Sequence, residues 1–287
     1  MSMVKTPIKT TGGRYYTASK IVKLFPPKGS YQNYLEPMFR SGAVLFAHDP
    51  ANCSEVINDL DQNFTNFFRV LQDEYQFERF QRKIEAVAFS GIEFMDAVER
   101  LRTDASWSLE PEVNRAVDLF IAANMSFGGN QETFSPVTKT RLRRGMNEQV
   151  SAWLTKIEGL PRVHARLKRV LILQLMDVFE LLPEWDRADT VIYLDPPWLM
   201  EEDNPDTRAT TNLYGIFDWD AAQHMRLLES LRFTRKASIL LSGFDSRLYE
   251  RILVQEHHWR KHAFDVPLHS AGGKQKRRQQ EMLWTNF

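Results

Sequence analysis

Cysteine is nearly missing from this 287-residue chain, which has a single one, Cys53. An internal disulfide and a cysteine-based zinc cluster are thereby excluded. A surplus of charge is missing too: 37 Lys and Arg stand against 37 Asp and Glu. Global charge therefore does not advertise a nucleic-acid partner, and any grip on phosphates must come from local basic clusters. No apolar run approaches the roughly 18–20 residues that cross a bilayer, and the first residues carry no signal-peptide core, so a cytoplasmic protein without membrane association is expected. Internal repeats and low-complexity segments are also lacking. What is present is 43% hydrophobic residues, enough to bury one core with a sizeable insertion or two separate domains.

The densest signal is Val191-Ile192-Tyr193-Leu194-Asp195-Pro196-Pro197-Trp198. Four apolar or aromatic residues read as a short strand buried on both faces, the pattern of a parallel sheet covered by helices. Pro196 and Pro197 have no backbone N–H and fix φ, so the ladder stops and Asp195 is held at the strand's carboxyl end. Ligands bind at that end of open α/β sheets. A carboxylate, a prolyl carbonyl and an indole suit transfer to a planar amine conjugated with a ring. If Asp195 and the Pro196 carbonyl each accept one N–H, the nitrogen is drawn toward tetrahedral geometry and its lone pair is freed. Trp198 would stack on the base. The plain alternative is a turn that closes a core strand.

Asp-Pro-Pro-Trp after an apolar strand resembles the catalytic motif of amino-methyltransferases that use S-adenosylmethionine, in which Asp-Pro-Pro-aromatic is typical of adenine-specific enzymes. The flanking segments look like the class alpha, Dam-type DNA adenine methylases, in particular those of phages and prophages. The resemblance implies an α/β, Rossmann-like S-adenosylmethionine-dependent methyltransferase sheet with an inserted, mostly helical target-recognition domain. It further implies double-stranded DNA as partner, a flipped-out adenine as target, S-adenosylmethionine as cofactor and no metal. Residues 1–73 and 170–287 would form the catalytic domain and 74–169 the insertion. The catalytic set would be Asp195, Pro196 and Trp198. The cytosine-carbon methyltransferases need a thiolate behind a proline, which Cys53 is not.

Near the N-terminus, Lys9-Thr10-Thr11-Gly12-Gly13-Arg14 reads as a flexible loop flanked by cations. Tyr34-Leu35-Glu36-Pro37 reads as strand and stop, and Ser41-Gly42 opens a helix over Ala43 to Phe46. A strand, glycine turn and helix leave backbone N–H groups facing a ligand. These stretches resemble the family's cofactor motifs, which would place Lys9, Arg14, Glu36, Phe39, Ser41 and Gly42 around S-adenosylmethionine. Met38, Arg40 and Arg14 depart from the usual residues; at Arg40 the side chain must point away from the cofactor or the turn must open. Ser54 to Asp59 reads as the next strand, followed by a helix with Phe64, Phe67, Phe68 and Leu71 at helical spacing. Asp59 lies near the roughly 20-residue spacing of a ribose-gripping carboxylate, with Asp61 competing as helix cap. The resemblance assigns the ribose to Asp59.

From Glu74 to Arg169 the pattern is mostly helical, with Pro111, Pro136 and Pro161 as expected breaks. After Ser126-Phe127-Gly128-Gly129-Asn130 come Lys139, Arg141, Arg143 and Arg144 with no acid between them. This is either a solvated face or a grip on phosphates beside a groove. In the family's insertion these cations would bind DNA. Leu171 to Phe179 reads as a strand ending in Asp177, a helix cap on its own and, by resemblance, a contact to the cofactor's adenine. Glu201 to Thr211 reads as a polar lid loop. Asp218-Trp219-Asp220 caps a helix from Ala221 to Leu231, and Ala237 to Ser242 is a further buried strand. Ser242 to Ser246 resembles a family turn near the catalytic pocket. The closing Gly272 to Arg278 and Glu281 to Asn286 resemble the last hairpin, whose Lys274, Lys276, Arg277 and Arg278 would approach DNA. His257, His258, His262 and His269 lack a convincing third ligand for a metal. Other readings remain open: methylation of adenine in RNA or of a glutamine amide, and a DNA-binding module that has lost catalysis. Oligomeric state and recognition sequence are not legible.

Overall fold

Thr190–Leu194 is buried at every position and forms the strand on which the sheet is centred. Side chains that are apolar on both faces can be satisfied only between two covering layers, which the surrounding helices supply. The computed structural model describes residues 4–50, 52–103, 108, 110–199, 217–267 and 278–287. In chain order its elements are α1 (Ala18–Val22), β1 (Asn33–Glu36), α2 (Ala43–Ala47), β2 (Ser54–Ile57), α3 (Gln62–Gln72), α4 (Glu74–Glu85), α5 (Gly91–Thr103) and α6 (Val113–Met125). Then follow β3 (Leu142–Arg143), β4 (Met146–Asn147), α7 (Glu148–Leu167), β5 (Val170–Ile172), α8 (Val178–Glu184), β6 (Thr190–Leu194), α9 (Ala221–Phe233), β7 (Ser238–Gly243), β8 (Arg260–Pro267) and β9 (Arg278–Thr285). No helix among the described residues is long and apolar enough to cross a membrane.

The chain divides into two compact units. One comprises Tyr16–Phe39, His48–Leu60 and Leu173–Phe287. Within it six strands lie side by side in the order β2-β1-β6-β7-β9-β8. The first four run parallel, with Leu35 opposite both Val56 and Ile192, and Leu194 opposite Leu241. β9 enters antiparallel between β7 and β8. β1 has β2 on one side and β6 on the other, so the strand order reverses at β1, and in such sheets the crevice for a ligand opens beyond the carboxyl ends at that reversal. Leu35, Val56, Ile192, Ile239, Leu241, Leu227 and Trp284 belong to the core packed around this sheet. Asp220 caps α9 in a reciprocal box with Gln223, as the acidic run before that helix suggested.

The other unit comprises Met1–Tyr15, Arg40–Ala47 and Asp61–Ile172. It contains the whole of the expected insertion, 74–169, and reaches beyond it to the N-terminal segment, the turn before α2 and α3. Phe64, Phe67, Phe68 and Leu71 are buried along one face of α3, and Phe67 stacks on Phe120 of α6 at 6.2 Å.

Three local expectations need correction. Pro161 lies inside α7 rather than ending it. The missing N–H is outweighed by a face that buries Trp153, Ile157, Leu160, Val163 and Leu167. The basic stretch contains a β-hairpin, β3 to β4, in which Arg144 and Gly145 take φ of 56° and 76°. Two left-handed central residues make the turn that matches strand twist. Leu171 to Phe179 is not one strand: β5 ends at Ile172, Leu175 takes φ of 53°, and Asp177 begins α8.

Candidate active site

At the end of β6 the two prolines take the chain out of the ladder and leave Asp195 half-buried, with Pro196 buried behind it. Trp198 folds back over this turn. Its indole N–H donates to Asp195 Oδ1 at 3.2 Å, and its ring meets Phe244 edge-on at 4.2 Å. Phe244 directly follows β7, so the Ser242 to Ser246 turn is brought against the motif. A buried hydrogen bond of 2.8 Å between the Tyr193 hydroxyl and Ser242 Oγ fixes β6 to β7 just before both loops. The carboxylate is thus aimed by its own motif and by the neighbouring strand end.

Glu36, at the end of β1, is buried and accepts the Tyr34 hydroxyl at 2.7 Å. Burial, with the Glu36 charge beside it, pushes the Tyr34 phenol well above its ordinary range. Asn58 follows β2 and was given no role from sequence. It is buried, and its amide donates to Pro37 O at 3.1 Å and Met176 O at 2.8 Å while its carbonyl accepts Met176 N–H at 3.0 Å. Its backbone adds bonds to Glu36 O and from Phe39 N–H, each 3.0 Å. One amide therefore fixes the loops after β1 and β5. The only sequence signal was an amide placed immediately after an apolar strand. Asp59 is next in the chain. The helix-capping role that competed for it belongs to Asp61, which accepts Asn63 N–H at 2.9 Å. Asp177 caps α8 by accepting Phe179 N–H at 3.0 Å.

In the other unit, Gly13 N–H bonds Thr10 O at 3.1 Å, and Gly12 takes φ of 72° in this turn. A Cβ at Gly13 would come within 2.9 Å of Thr10 Oγ1, so the turn is built for glycine. Arg14 and Ser41 are buried, and Lys9 reaches Asn124 O at 3.5 Å. Burial lowers the Lys9 pKa. Gly42 has φ of 67°, and its carbonyl accepts Phe46 N–H at 3.0 Å in the first turn of α2. Arg40 adopts φ of 41°, and its guanidinium lies over the Phe64 ring at 4.8 Å, with its charge acting on Asp61. This left-handed position, which glycine adopts most readily, is held by an arginine packed on α3.

Lys139, Arg141, Arg143 and Arg144 are all exposed around the hairpin. Arg144 pairs with Glu158 at 2.7 Å and Arg141 with Glu148 at 3.7 Å. Arg278 bonds Asp265 Oδ2 across β8 and β9 at 2.5 Å. Lys274, Lys276 and Arg277, like the Glu201 to Thr211 loop, lie outside the described residues.

Two known proteins align with most of this chain. The type II methyltransferase M.MjaIII of Methanocaldococcus jannaschii is 23% identical over 273 residues, covering 88% of this chain and 90% of its own length. The modification methylase StsI of Streptococcus sanguinis is 21% identical over 253 residues, covering 82% of this chain and 34% of its own length. The chain is similar to two methylating enzymes. No family model matches it. With the sheet order above, the similarity gives the protein an α/β, Rossmann-like methyltransferase fold.

Proposed function

We propose that the protein is an S-adenosylmethionine-dependent methyltransferase that acts on the exocyclic amine of adenine in double-stranded DNA. The observation that carries this reading is Asp195, aimed by Trp198 and Phe244 at the carboxyl end of β6, next to the strand at which the sheet order reverses. The two relatives, a methyltransferase and a methylase by name, support the reaction class.

An adenine amine is a poor nucleophile because its lone pair is delocalised into the ring. Asp195 and the Pro196 carbonyl accept its two N–H groups and favour the pyramidal nitrogen that attacks. S-adenosylmethionine, when bound, supplies an electrophilic methyl group on sulfur. Transfer would form N–CH3 and break S–CH3, leaving a thioether, with the proton lost by the nitrogen passing to Asp195 or to water. The base reaches the motif only after leaving the duplex, at a cost of a few kcal/mol. Trp198 supplies an indole face to it.

The residues suit that cofactor. The hydroxyls of Thr10 and Thr11 are buried with no hydrogen-bond partner among the described residues, as polar groups awaiting a polar ligand would be. Lys9, Arg14, Ser41 and Gly42 flank or follow them in the same unit. Glu36, Phe39, Asp59 and Asp177, in the unit that holds the sheet, are proposed cofactor contacts, with Asp59 on the ribose. Lys139, Arg141, Arg143 and Arg144 on the hairpin are proposed DNA contacts, and so, separately, are Lys274, Lys276, Arg277 and Arg278. Arg40 has its guanidinium over Phe64 of α3, which favours a working cofactor turn over a module that has lost catalysis.

The deciding experiment incubates the protein with methyl-labelled S-adenosylmethionine and mixed-sequence DNA and digests the product to nucleosides. Label in N6-methyladenine is expected. Label in methylcytosine, or transfer only when RNA or protein replaces DNA, overturns the proposal.

A further inference from the structure

The segment that runs into the Lys9 to Arg14 loop is held at several points by residues of the 74–169 insertion, besides the bond from Thr6 Oγ1 to Ser41 O. Gly129 lies backbone against backbone on it. A Cβ at that position would meet Lys9 C and Thr10 N at 2.8 Å, and Gly129 has φ of 80°, so both space and conformation demand glycine. Asn124, buried at the end of α6, donates to Pro7 O at 3.1 Å and to Phe120 O at 3.1 Å, and its own carbonyl accepts from Lys9 Nζ. Lys156, on α7, donates to Thr6 O at 2.6 Å. Burial, together with the charges of Lys9 and Lys5, lowers Lys156 to about 7. A lysine kept in such a place is costly, and its bond to a backbone carbonyl of this segment is the interaction that answers the cost.

We infer that Asn124, Gly129 and Lys156 are positioning residues for the Lys9 to Arg14 loop, so that the part of the chain assigned to reading DNA also sets the affinity for the cofactor. The inference rests on the proposed role of that loop in binding S-adenosylmethionine. It goes beyond that role by making loop and insertion one folded piece. A substitution in the insertion, distant in sequence from the loop, then reads out as a cofactor defect.

The test compares wild type, Gly129→Ala, Lys156→Met and Lys156→Arg. Binding of S-adenosylmethionine is measured by calorimetry, binding of a DNA duplex without cofactor by fluorescence anisotropy, and amide hydrogen exchange over residues 5–14 by mass spectrometry. Gly129→Ala and Lys156→Met are expected to weaken cofactor binding at least 10-fold, to change duplex binding less than 3-fold and to raise exchange over residues 5–14. Lys156→Arg, which can still donate to Thr6 O, is expected to recover most of the cofactor affinity. If Gly129→Ala does not fold by circular dichroism, Lys156→Met carries the same readouts. Unchanged cofactor affinity with unchanged exchange overturns the inference. A wild-type chain that fails to bind S-adenosylmethionine overturns the proposed function instead, and hydrogen exchange alone then decides the positioning.

Discussion

The Trp198 indole N–H donates to Asp195 Oδ1 at 3.2 Å, so the last residue of the Asp-Pro-Pro-Trp motif orients the first. A carboxylate has several acceptor sites, so one such group can be oriented by a neighbour and also bind a substrate amine.

Trp198→Phe separates this bond from the ring. The variant keeps an aromatic face beside Phe244 but loses the donor. A hydrogen bond to a charged group contributes roughly 1.5–3 kcal/mol, so kcat should fall about 10- to 100-fold with little change in cofactor affinity. Asp195→Ala should abolish turnover while cofactor binding persists. Steady-state kinetics and calorimetry on both variants check this, and loss of cofactor binding together with the fold would return the motif to a turn that closes a strand.

Asn58 makes a second prediction. Asn58→Leu replaces three side-chain hydrogen bonds with apolar volume and leaves Pro37 O, Met176 O and Met176 N–H without it. Buried polar groups left unsatisfied cost roughly 1–3 kcal/mol each, only partly relieved by relaxation. A loss of about 3 kcal/mol in urea unfolding is expected, with weaker cofactor binding. Unchanged stability would show that other groups hold these loops.

His224 gives the protein a pH dependence. It is fully buried, its Nδ1 faces the Tyr249 hydroxyl at 2.8 Å, and its ring meets Trp219 edge-on at 5.5 Å. Burial lowers its pKa to about 4, against a smaller upward pull from Asp220. The unfolded chain therefore binds the proton more readily, near pH 6.5, and stability falls as pH drops from about 6.5 to about 4. At roughly 1.4 kcal/mol per unit the full difference is about 3.5 kcal/mol. Above pH 6.5 this contribution is fully present. Denaturant melts at pH 7.5 and 5.0 should show the loss in wild type and a reduced loss in His224→Asn.

A buried chain of polar groups joins Tyr31, His48 and Glu55. Tyr31 Oη and His48 Nε2 are 2.8 Å apart, and His48 Nδ1 and Glu55 Oε1 are 2.7 Å apart. Removing one member leaves a buried polar group unsatisfied, at a cost of roughly 1–3 kcal/mol. His48→Leu should destabilise the protein by that amount in thermal or urea unfolding. A change below about 1 kcal/mol would show that the pair is replaceable.

The hairpin cations should differ from one another. Each phosphate contact adds close to one unit to the salt dependence of DNA binding. Lys139→Ala and Arg143→Ala are expected to lower that slope by about one each, whereas Arg144→Ala, whose guanidinium is already paired with Glu158, should change it less. Anisotropy titrations from low to moderate salt measure this. Equal slopes for all variants would place DNA elsewhere on the protein.

Strands and helix starts were legible because their signals are local. The apolar run ending in two prolines gave β6 and its stop, and Asp220 gave the start of α9. The β3–β4 hairpin was not legible, since Arg144 takes a left-handed conformation that composition assigns to Gly or Asn. Pro161 misled for the opposite reason: burial along α7 outweighs one lost hydrogen bond. Leu171 to Leu173 continue the strand pattern of Val170, but hydrogen bonding to Asn58 and a left-handed Leu175 end it.

The chain's own order of residues determined where strands stop and which residue stands at each stop, because prolines and buried β-branched side chains act within a few positions of themselves. It also determined which groups the Asp195 to Trp198 motif offers, since a carboxylate and an indole carry their properties wherever they are placed. Only the tertiary structure decided that Phe244 meets Trp198, that Asn58 ties loops more than a hundred residues apart, and that Gly129 lies on Lys9. Such contacts depend on strand order and on the backbone path between distant segments, and neither leaves a periodic trace in the sequence.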